Sequence, residues 1–432
     1  EWLRHIRTTW AWVFSVNEVP FTFLPEGFRL RPPCVIHATH ATFYGMQPMT
    51  MPVERLIAEA GKLAQAAQLP GDQTVVIERD GAYVGISLPL PPEFCRRLDY
   101  PLVLPVDSQV PLAVYLGLAE GGARLWLSLN QSDSPHVLLA GTTGSGKTNL
   151  ARAMALCLAQ RNKPEGLALV IADHKGHFAA LTALPHVIAY ALAVPDEVAL
   201  IRWLVERLDA RTSGAEKRQP PMVVFMDEIS DFLAAGGRQA VEGLTRLAQA
   251  GRAEAMHLVL CTQRPAAEVL DPTLRGCLPA RIVGKVTCAT DATIATGQAG
   301  TQAQGLVGRG DMLLLAEGQR LRFQAFYLPD GELERRVEPL YSLPRPSLAI
   351  PPFLADEGGI AGSVSDAQIL ERLRAGQGVT QIIGELFGCW GGGKWWGYRR
   401  RIEEVRQQAG LAAASRRRII PFPFGGERDG RK

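Results

Sequence analysis

The residues best suited to chemistry form a glycine-rich loop at 141–148 with the sequence GTTGSGKT. The loop follows an apolar run at 136–140 and precedes a helical pattern at 149–160, which is the setting of a phosphate-binding P-loop. Its glycines let backbone N–H groups approach an anion, and the N-terminus of the following helix adds a favourable dipole. We therefore predict a site for nucleotide phosphates, formed by Gly141, Thr142, Thr143, Gly144, Ser145, Gly146, Lys147, Thr148 and Asn149.

Two adjacent acids, Asp227 and Glu228, follow an apolar run at 222–226. In this Walker B arrangement, Asp227 is predicted to hold Mg²⁺ through water, and Glu228 to deprotonate the water that attacks the γ-phosphate. Within the P-loop, Lys147 is predicted to reach the β- and γ-phosphates, and Thr148 to offer its hydroxyl to Mg²⁺. The sequence thus predicts ATP and Mg²⁺ as cofactors.

Polar residues also follow two other apolar runs. Gln263 comes after the run at 257–261, where its amide is placed to hydrogen-bond the attacking water or the γ-phosphate. From the residues alone, an ordinary loop position is an equally good interpretation of Gln263. His174 and His177 follow the run at 167–172 without a third ligand in sequence reach, which favours a polar rim beside the nucleotide, or a subunit contact, over a metal site.

The elements that must position these residues are alternating strands and helices. Beyond the P-loop, apolar runs of strand length recur between helical patterns, at 167–172, 222–226, 257–261, 281–286 and 311–315. This alternation predicts an α/β fold with a parallel sheet covered by helices on both faces. Ligands of such sheets lie at the carboxyl ends of the strands, which is where the polar residues accumulate.

The sequence predicts several units along the chain. The opening stripe of Trp2, Ile6, Trp10, Val13 and Phe14 is typical of a packing helix, with a juxtamembrane helix after missing membrane spans as the alternative. The predicted segments are an N-terminal segment at 1–50, a small α/β domain at 51–128, the P-loop ATPase domain at 129–342, a proline-rich linker at 343–360, a helical domain at 361–410 and a basic tail at 411–432.

Composition excludes several classes of protein. The 432 residues are 47% hydrophobic, and no stretch approaches the roughly 18–20 apolar residues of a membrane span. The seven cysteines lack paired spacing, which predicts reduced thiols in the cytosol and no disulfide framework. Cys34, His37 and His40 have ligand-like spacing, but three ligands crowded into seven residues without a distant partner favour the absence of a metal cluster.

The C-terminal segment at 361–432, which contains the helical domain and the tail, is the basic part of a chain with a net charge of +3. Ser365 or Asp366 is predicted to cap a helix that runs to about Arg374, and two more short helices follow a glycine-containing break. This pattern suits a helix-turn-helix or winged-helix module, although any three-helix packing unit has a similar one. The basic residues predicted to contact DNA are Lys394, Arg399, Arg400 and Arg401.

Four ordered runs resemble the motor domain of the FtsK/SpoIIIE family of DNA translocases: HVLLAGTTGSGKT, VVFMDEISDFL, LTRLAQAGRAEAMHLVLCTQRP and GRGDMLL. The resemblance covers roughly 53–328 and includes GAYVGISLPLPP ahead of the P-loop. It implies a RecA-like motor that forms a hexameric ring and pulls double-stranded DNA through its centre using ATP. It also implies phosphate and Mg²⁺ roles for Lys147 and Thr148, Walker B roles for Asp227 and Glu228, and a sensing role for Gln263.

The chain departs from this family at several positions. Thr293 stands where members usually carry an Arg, so that another Arg is expected to reach a neighbouring subunit's nucleotide; Arg281 is the first candidate, with Arg264 and Arg252 as alternatives. The segment at 209–220 is shorter than in typical members. Arg238, which follows two glycines, is predicted to contact DNA phosphates or, equally, to be a solvated turn residue. The C-terminal module matches the family's winged-helix domain in position but not in sequence.

Several functions remain open at this stage. The leading hypothesis is a DNA translocase acting in chromosome segregation or in transfer of plasmids and mobile elements. The alternatives are a HerA-like helicase or resection motor that works with a nuclease, and a DNA-binding regulator switched by ATP. The expected location is the cytoplasm, with a tether to the inner membrane through a segment upstream of residue 1 as the alternative.

Overall fold

A computed structural model describes most of the chain. The described residues are 1–48, 50–71, 73–105, 110–120, 122–132, 134–217, 220–263, 265, 271–316, 318–344, 364–377, 379, 382–383, 386 and 393–411. The chain forms two compact units, Glu1–Ala355 and Asp356–Lys432. Among the described residues, no helix has the length and apolar character needed to cross a membrane.

The first unit begins with a small antiparallel sheet in the order β1-β3-β5-β4, with β2 pairing β3. Its strands are β1 (Thr22–Phe23), β2 (Cys34–Ile36), β3 (His40–Met46), β4 (Val76–Asp80) and β5 (Tyr83–Pro89), and its helices are α1 (Trp2–Val16), α2 (Val53–Ile57) and α3 (Ala60–Ala66). The β4–β5 hairpin turns at Gly81, whose φ of 63° suits glycine.

Helix α1 packs into the core of this small sheet. Its apolar stripe is buried at Ile6, Trp10, Val13 and Phe14, and the Trp10 indole N–H donates a 2.8 Å hydrogen bond to the carbonyl of Leu63. Burying such side chains stabilises the fold by roughly 1.5–3 kcal/mol each. Residues on both sides of position 50 therefore share one apolar core, whereas the sequence placed a domain boundary there.

The second sheet of this unit has ten strands in the order β10-β9-β11-β12-β8-β13-β14-β15-β6-β7. They are β6 (Ala113–Ala119), β7 (Arg124–Ser128), β8 (His136–Ala140), β9 (Ala168–Ala172), β10 (Val187–Ala191), β11 (Met222–Met226), β12 (Met256–Thr262), β13 (Ala280–Val283), β14 (Asp311–Ala316) and β15 (Gln319–Ala325). The first six strands in this order, which end at β13, pair in parallel. The remaining pairings, from β13–β14 to β6–β7, are antiparallel.

The large sheet is thus mixed, whereas the sequence predicted a parallel one. The segment at 311–315 does form a strand, but β14 runs antiparallel to β13 and continues through a tight turn at Gly318 into β15. Strands β6 and β7, placed by the sequence in the small domain, extend the large sheet beyond β15. A hairpin adds to a sheet edge through backbone hydrogen bonds, which leave little trace in side-chain patterns.

Helices cover both faces of the large sheet. They are α4 (Lys147–Arg161), α5 (Val194–Thr212), α6 (Ile229–Ala250), α7 (Pro272–Gly276), α8 (Ala289–Thr296) and α9 (Asp330–Val337). Strand β8 shows the arrangement: Val137 and Leu139 join the core under α4, while Leu138 and Ala140 join the core under α5 and α6. All five residues of β8 are buried because each face of the strand is covered.

The second unit contains the helices α10 (Asp366–Arg374) and α11 (Gly393–Gln408). Ser365 caps α10 in a capping box with Gln368, which satisfies two backbone N–H groups that would otherwise lack partners. Ile369, Ile382 and Ile402 are buried in the apolar cluster of this unit. The short helix predicted at 380–387 falls largely outside the described residues.

Candidate active site

The P-loop connects the carboxyl end of β8 to the first turn of α4. Gly144 and Gly146 have φ values of 82° and 98°, and Gly146 is the N-cap of α4. A Cβ at position 146 would lie 2.9 Å from the backbone nitrogen of Gly310, closer than real contacts allow. Glycine is therefore required at 146 for both its conformation and its packing.

Neighbouring backbone segments hold the loop in place. Thr142 donates hydrogen bonds from its N–H and its hydroxyl to the carbonyl of Lys285, at 2.8 and 3.0 Å. The N–H groups of Arg309 and Gly310 donate to the carbonyls of Gly144 and Ser145, at 3.0 and 2.8 Å. We call residues 308–310 the buttress segment. These hydrogen bonds fix the carbonyls of Gly144 and Ser145 from outside the loop.

The central ion pair of the site joins Lys147 to Asp227. The Lys147 Nζ lies 3.1 Å from Asp227 Oδ1, and both side chains are buried. The other carboxylate oxygen of Asp227 accepts a 2.6 Å hydrogen bond from His177 Nδ1. Burial alone would raise the pKa of Asp227, but the hydrogen bond from His177 and the ammonium of Lys147 together lower it to about 2. Asp227 is therefore an ionised, buried oxygen ligand.

Glu228 occupies the point where the chain leaves β11 and enters α6. Its φ of 52° lies in the left-handed region, which is costly for a non-glycine residue and concentrated at functional sites. This turn sends the side chains of Asp227 and Glu228 to different partners. Glu228 Oε1 accepts from the backbone N–H of Gln263 at 3.1 Å, and Lys175 Nζ lies 3.3 Å from Oε2.

Gln263 links the P-loop to this acid. Its side-chain oxygen accepts a 2.8 Å hydrogen bond from the Thr143 hydroxyl, while its backbone N–H holds Glu228. The structure thus brings Lys147, Asp227, Glu228 and Gln263 to the same edge of the sheet. Thr148, half-buried, follows Lys147 in the first turn of α4.

Asn149 differs from its predicted role in binding phosphate. Its side-chain amide donates to the carbonyl of Leu328 at 2.8 Å and accepts from the N–H of Leu328 at 3.1 Å. The side chain therefore ties α4 to the segment after β15 instead of facing the loop. A helical position fixes which way a side chain projects, but the partner it meets is set by tertiary packing.

The loop after β9 contributes side chains that the sequence predicted as a polar rim or a subunit contact, without identifying their partners. Lys175 contacts Glu228, and His177 contacts Asp227, as described above. His174 lies between two carboxylates, 3.0 Å from Glu197 Oε1 and 3.2 Å from Asp231 Oδ2. The segment is a polar rim around the acids of the site. The signal available in the sequence was its place at the carboxyl end of a parallel strand.

The arginine candidates have different surroundings. Arg281 donates to the carbonyls of Arg275 at 3.0 Å and Leu278 at 3.3 Å, and burial, followed by the charge of Arg275, lowers its pKa. This guanidinium is thus engaged within its own chain, contrary to the free position expected of a residue that reaches a neighbour. Arg252 is exposed, and Arg264 lies outside the described residues.

The candidate DNA contacts are also placed differently from one another. Arg238 lies within α6, just after a kink at Gly237, and its exposed guanidinium pairs with Glu242 at 2.7 Å. Arg401 donates to Asp366 at 2.9 Å and to the carbonyl of Val364 at 2.7 Å, which makes it part of the packing of the second unit. Lys394, Arg399 and Arg400 belong to α11, but their side chains fall outside the described part of the structure.

A P-loop after one central strand, two acids after another and an amide after the strand between them define a P-loop ATPase. A model of the FtsK/SpoIIIE family matches residues 108–214 and 210–267. The resemblance predicted from the sequence is confirmed, because residues 108–267 of the ATPase part are similar to the FtsK/SpoIIIE family.

Individual curated proteins show the same similarity. The DNA translocase FtsK of Mycobacterium tuberculosis is 30% identical over 307 residues, which are 63% of this chain and 35% of the relative. The DNA translocase FtsK of Helicobacter pylori is 32% identical over 255 residues, or 54% of this chain and 30% of the relative. The chain therefore spans about a third of the length of these curated relatives.

A solved structure supports the fold. The cytoplasmic domain of the type VII secretion ATPase EccC from Thermomonospora curvata is 27% identical, with a TM-score of 0.50. The match covers 58% of this chain and 33% of that structure.

Proposed function

We propose that this chain is an ATP-driven translocase of double-stranded DNA that works as a hexameric ring. The observation that carries the proposal is the convergence of Lys147, Asp227, Glu228 and Gln263 at one sheet edge, in a chain similar to proteins named DNA translocases. A ring is proposed because the family resemblance implies one, in which the arginine finger would come from a neighbouring subunit; Arg281, the first candidate, is hydrogen-bonded within its own chain.

The P-loop and Lys147 bind the triphosphate in this proposal. Ser145 Oγ is buried and has no hydrogen-bond partner among the described residues, so it can serve a phosphate oxygen without breaking another contact. The ammonium of Lys147 now contacts Asp227, and it would shift its interaction towards the β- and γ-phosphates as ATP enters. Binding of the nucleotide is thereby coupled to the Walker B strand.

The donor set fits Mg²⁺, because the ionised Asp227 carboxylate and the Thr148 hydroxyl are the oxygen ligands that this ion prefers. Bound there, Mg²⁺ would supply neutralising charge to the β- and γ-phosphates. Asp227 and Thr148 would hold the ion, and His177 would keep the Asp227 carboxylate in place through its hydrogen bond.

Glu228 would accept the proton of the attacking water. Its Oε1 is oriented by the backbone of Gln263, and its Oε2 is neutralised by Lys175, which must move aside for the base to act. The Gln263 amide, now held by Thr143 of the P-loop, is positioned to exchange that hydrogen bond for one to the γ-phosphate. Release of the γ-phosphate would then change the contacts of Gln263 with both Thr143 and Glu228.

DNA would be gripped mainly through its phosphates, which makes binding insensitive to sequence and strongly dependent on salt. The exposed Arg238 is the proposed phosphate contact of the ATPase unit, and Arg252 the proposed finger. The second unit, with α11, would add sequence preference through the major groove.

Displacement of a triplex-forming strand from long duplex DNA tests this function. We expect displacement with ATP, no displacement with a non-hydrolysable analogue, and ATP turnover that rises with duplex length. The variant Glu228→Gln is the matched control and should displace nothing. Separation of the duplex strands would favour the helicase alternative, and turnover indifferent to duplex DNA would favour the ATP-switched regulator; either result would overturn the proposal.

A further inference from the structure

A second cluster of ligand-type side chains lies where the small sheet meets the large one. His37, in the turn between β2 and β3, stacks on His40 at the start of β3, with ring centroids 4.3 Å apart. Glu120 follows β6 of the large sheet. His40 Nε2 lies 3.2 Å from Glu120 Oε1, and His37 Nε2 lies 3.9 Å from the same oxygen. We call these three residues the junction cluster.

The spacing of these atoms matches a metal site. Ligands bonded to zinc at about 2.0–2.1 Å in tetrahedral geometry lie about 3.3–3.4 Å from one another. The two measured separations bracket that value, and the three ligand atoms all lie within 4.8 Å of each other. The donors are two imidazole nitrogens and one carboxylate oxygen, a set typical of zinc.

One atom of the junction cluster lacks the partner that burial demands. His37 Nε2 is buried, and no hydrogen-bond partner for it exists among the described residues. Leaving a buried polar atom unsatisfied costs about 1–3 kcal/mol. An ordinary histidine–glutamate hydrogen bond explains His40, but it leaves this nitrogen unexplained. A cation shared with Glu120 would satisfy both imidazoles.

The second ring nitrogen of His40 is supported as metal-binding histidines usually are. His40 Nδ1 lies 3.4 Å from the Thr39 hydroxyl, which donates to Gln324 Oε1 at 3.2 Å. Gln324 Nε2 donates in turn to the carbonyl of Arg309 at 2.8 Å. Arg309 belongs to the buttress segment, so this chain of contacts joins the junction cluster to the support of the P-loop.

The surrounding charges leave room for a cation. The nearby Arg322 is paired with Asp311 through two hydrogen bonds of 2.8 and 2.7 Å, and Arg320 is paired with Glu78. Glu120 then adds negative charge at the opening of the cluster, where its side chain is 27% exposed. Solvent can reach that side and fill a fourth coordination position.

We infer that His37, His40 and Glu120 bind one Zn²⁺ ion, which clasps the small sheet to the large sheet next to the buttress segment. The sequence argued against a metal cluster because no distant ligand accompanied Cys34, His37 and His40. Folding supplies that ligand from 80 positions away, and Cys34 instead packs against the apolar core of the small sheet.

Metal titration of the purified full chain, prepared without a histidine tag and stripped with chelator, tests the clasp. We expect one Zn²⁺ per chain by elemental analysis, and with Co²⁺ the strong visible absorption of a tetrahedral site. His37→Gln and Glu120→Gln should each weaken Zn²⁺ binding at least tenfold. No bound metal in the wild type, or unchanged affinity in both variants, would overturn the inference.

Two matched controls separate this site from the nucleotide site. His177→Gln removes a histidine of the other possible ligand group, Asp173, His177 and Asp227, and should leave the stoichiometry and the Co²⁺ spectrum unchanged. Lys147→Ala, which should stop ATP hydrolysis, should also bind Zn²⁺ normally, so failure of the proposed function would not remove the clasp. Loss of the metal in His177→Gln would assign the ion to the nucleotide site instead.

Thermal unfolding provides a second measurement that does not depend on a variant's affinity alone. Zn²⁺ should raise the midpoint temperature of thermal unfolding of the wild type. It should leave the midpoints of His37→Gln and Glu120→Gln unchanged, with circular dichroism showing that both variants are folded. Equal shifts in all three proteins would mean that the metal binds elsewhere, and the clasp would be rejected.

Discussion

The nucleotide site and the junction cluster are built in opposite ways. In the nucleotide site, Lys147, Asp227 and Gln263 follow three adjacent parallel strands of one sheet, so the strand order alone brings them together. In the junction cluster, two histidines of one sheet meet a glutamate of another. The nucleotide site follows from the strand order of the fold itself. The junction cluster depends instead on how the two sheets pack against each other. We therefore expect substitutions in the nucleotide site to stop ATP hydrolysis, and substitutions near the junction cluster to lower the stability of the fold.

Lys147→Ala should give the largest effect on the nucleotide side of this comparison. The substitution removes the positive charge that would stabilise the negative charge of the γ-phosphate in the transition state. We therefore expect ATP turnover to fall by about 10³-fold or more. Asp227 keeps its hydrogen bond from His177, so the chain should still fold. Steady-state hydrolysis in the presence of long duplex DNA measures the loss. Lys163→Ala, at an exposed position after α4, is the control; turnover within threefold of wild type for Lys147→Ala would refute the P-loop assignment.

Glu228→Gln should separate nucleotide binding from hydrolysis. The amide oxygen can still accept from the Gln263 N–H, but it cannot take a proton from water, so turnover should fall by about 10²–10³-fold. Affinity for a fluorescent ATP analogue should stay close to wild type. The neighbouring acid Asp231, which is half-exposed, provides the control Asp231→Asn with near-normal turnover. Full activity in Glu228→Gln would mean that another group is the base.

The same contrast explains what the sequence could reveal. The strand at 222–226 was predicted to the residue, because a buried parallel strand is an uninterrupted apolar run followed by polar residues at the sheet edge. The P-loop is contiguous, so its residues were visible together. The partners of Glu120, Lys175 and His177 could not be predicted, because each partner lies in a separate segment of the chain. The orientations of Asn149 and Arg281 escaped prediction for the same reason: a carbonyl partner has no side-chain signature.

Arg322 tests the structural side of the comparison. Its guanidinium and the Asp311 carboxylate are both buried, so Arg322→Met leaves a buried charge without its partner and should lower the free energy of unfolding by about 3–5 kcal/mol. Urea denaturation monitored by circular dichroism measures the change. In the double variant with Asp311→Asn, no uncompensated charge remains, and most of the loss should be recovered.

A matched arginine lies two residues earlier on β15. Arg320 pairs with Glu78 at 3.5 Å and is partly exposed, so Arg320→Met should cost less than about 1 kcal/mol. If Arg320→Met and Arg322→Met lowered the free energy of unfolding equally, burial would not explain the stability contribution of the Asp311–Arg322 pair.

His136 and His257 provide a test that depends on pH, at the edge of the large sheet opposite the P-loop. Burial, and for His136 also the nearby His257, lowers the pKa of His136 to about 3 and that of His257 to about 4. In the unfolded chain both would titrate near pH 6.5, so the unfolded state binds protons first as the pH falls. The contribution of the two neutral imidazoles to the free energy of unfolding is therefore fully present above about pH 6.5. It is lost progressively as the pH falls towards 3–4.

His136→Asn should remove one such proton site while keeping an acceptor for the N–H of Leu258. The wild type should lose about 2 kcal/mol per histidine between pH 7 and pH 5, and the variant correspondingly less. Urea midpoints at the two pH values measure this difference, with the exposed His5→Asn as the control that should behave as wild type. Parallel losses in wild type and His136→Asn would show that His136 is not kept neutral by the sheet. A smaller loss in the variant would place acid sensitivity at the amino-terminal edge of β8, away from both sites compared above.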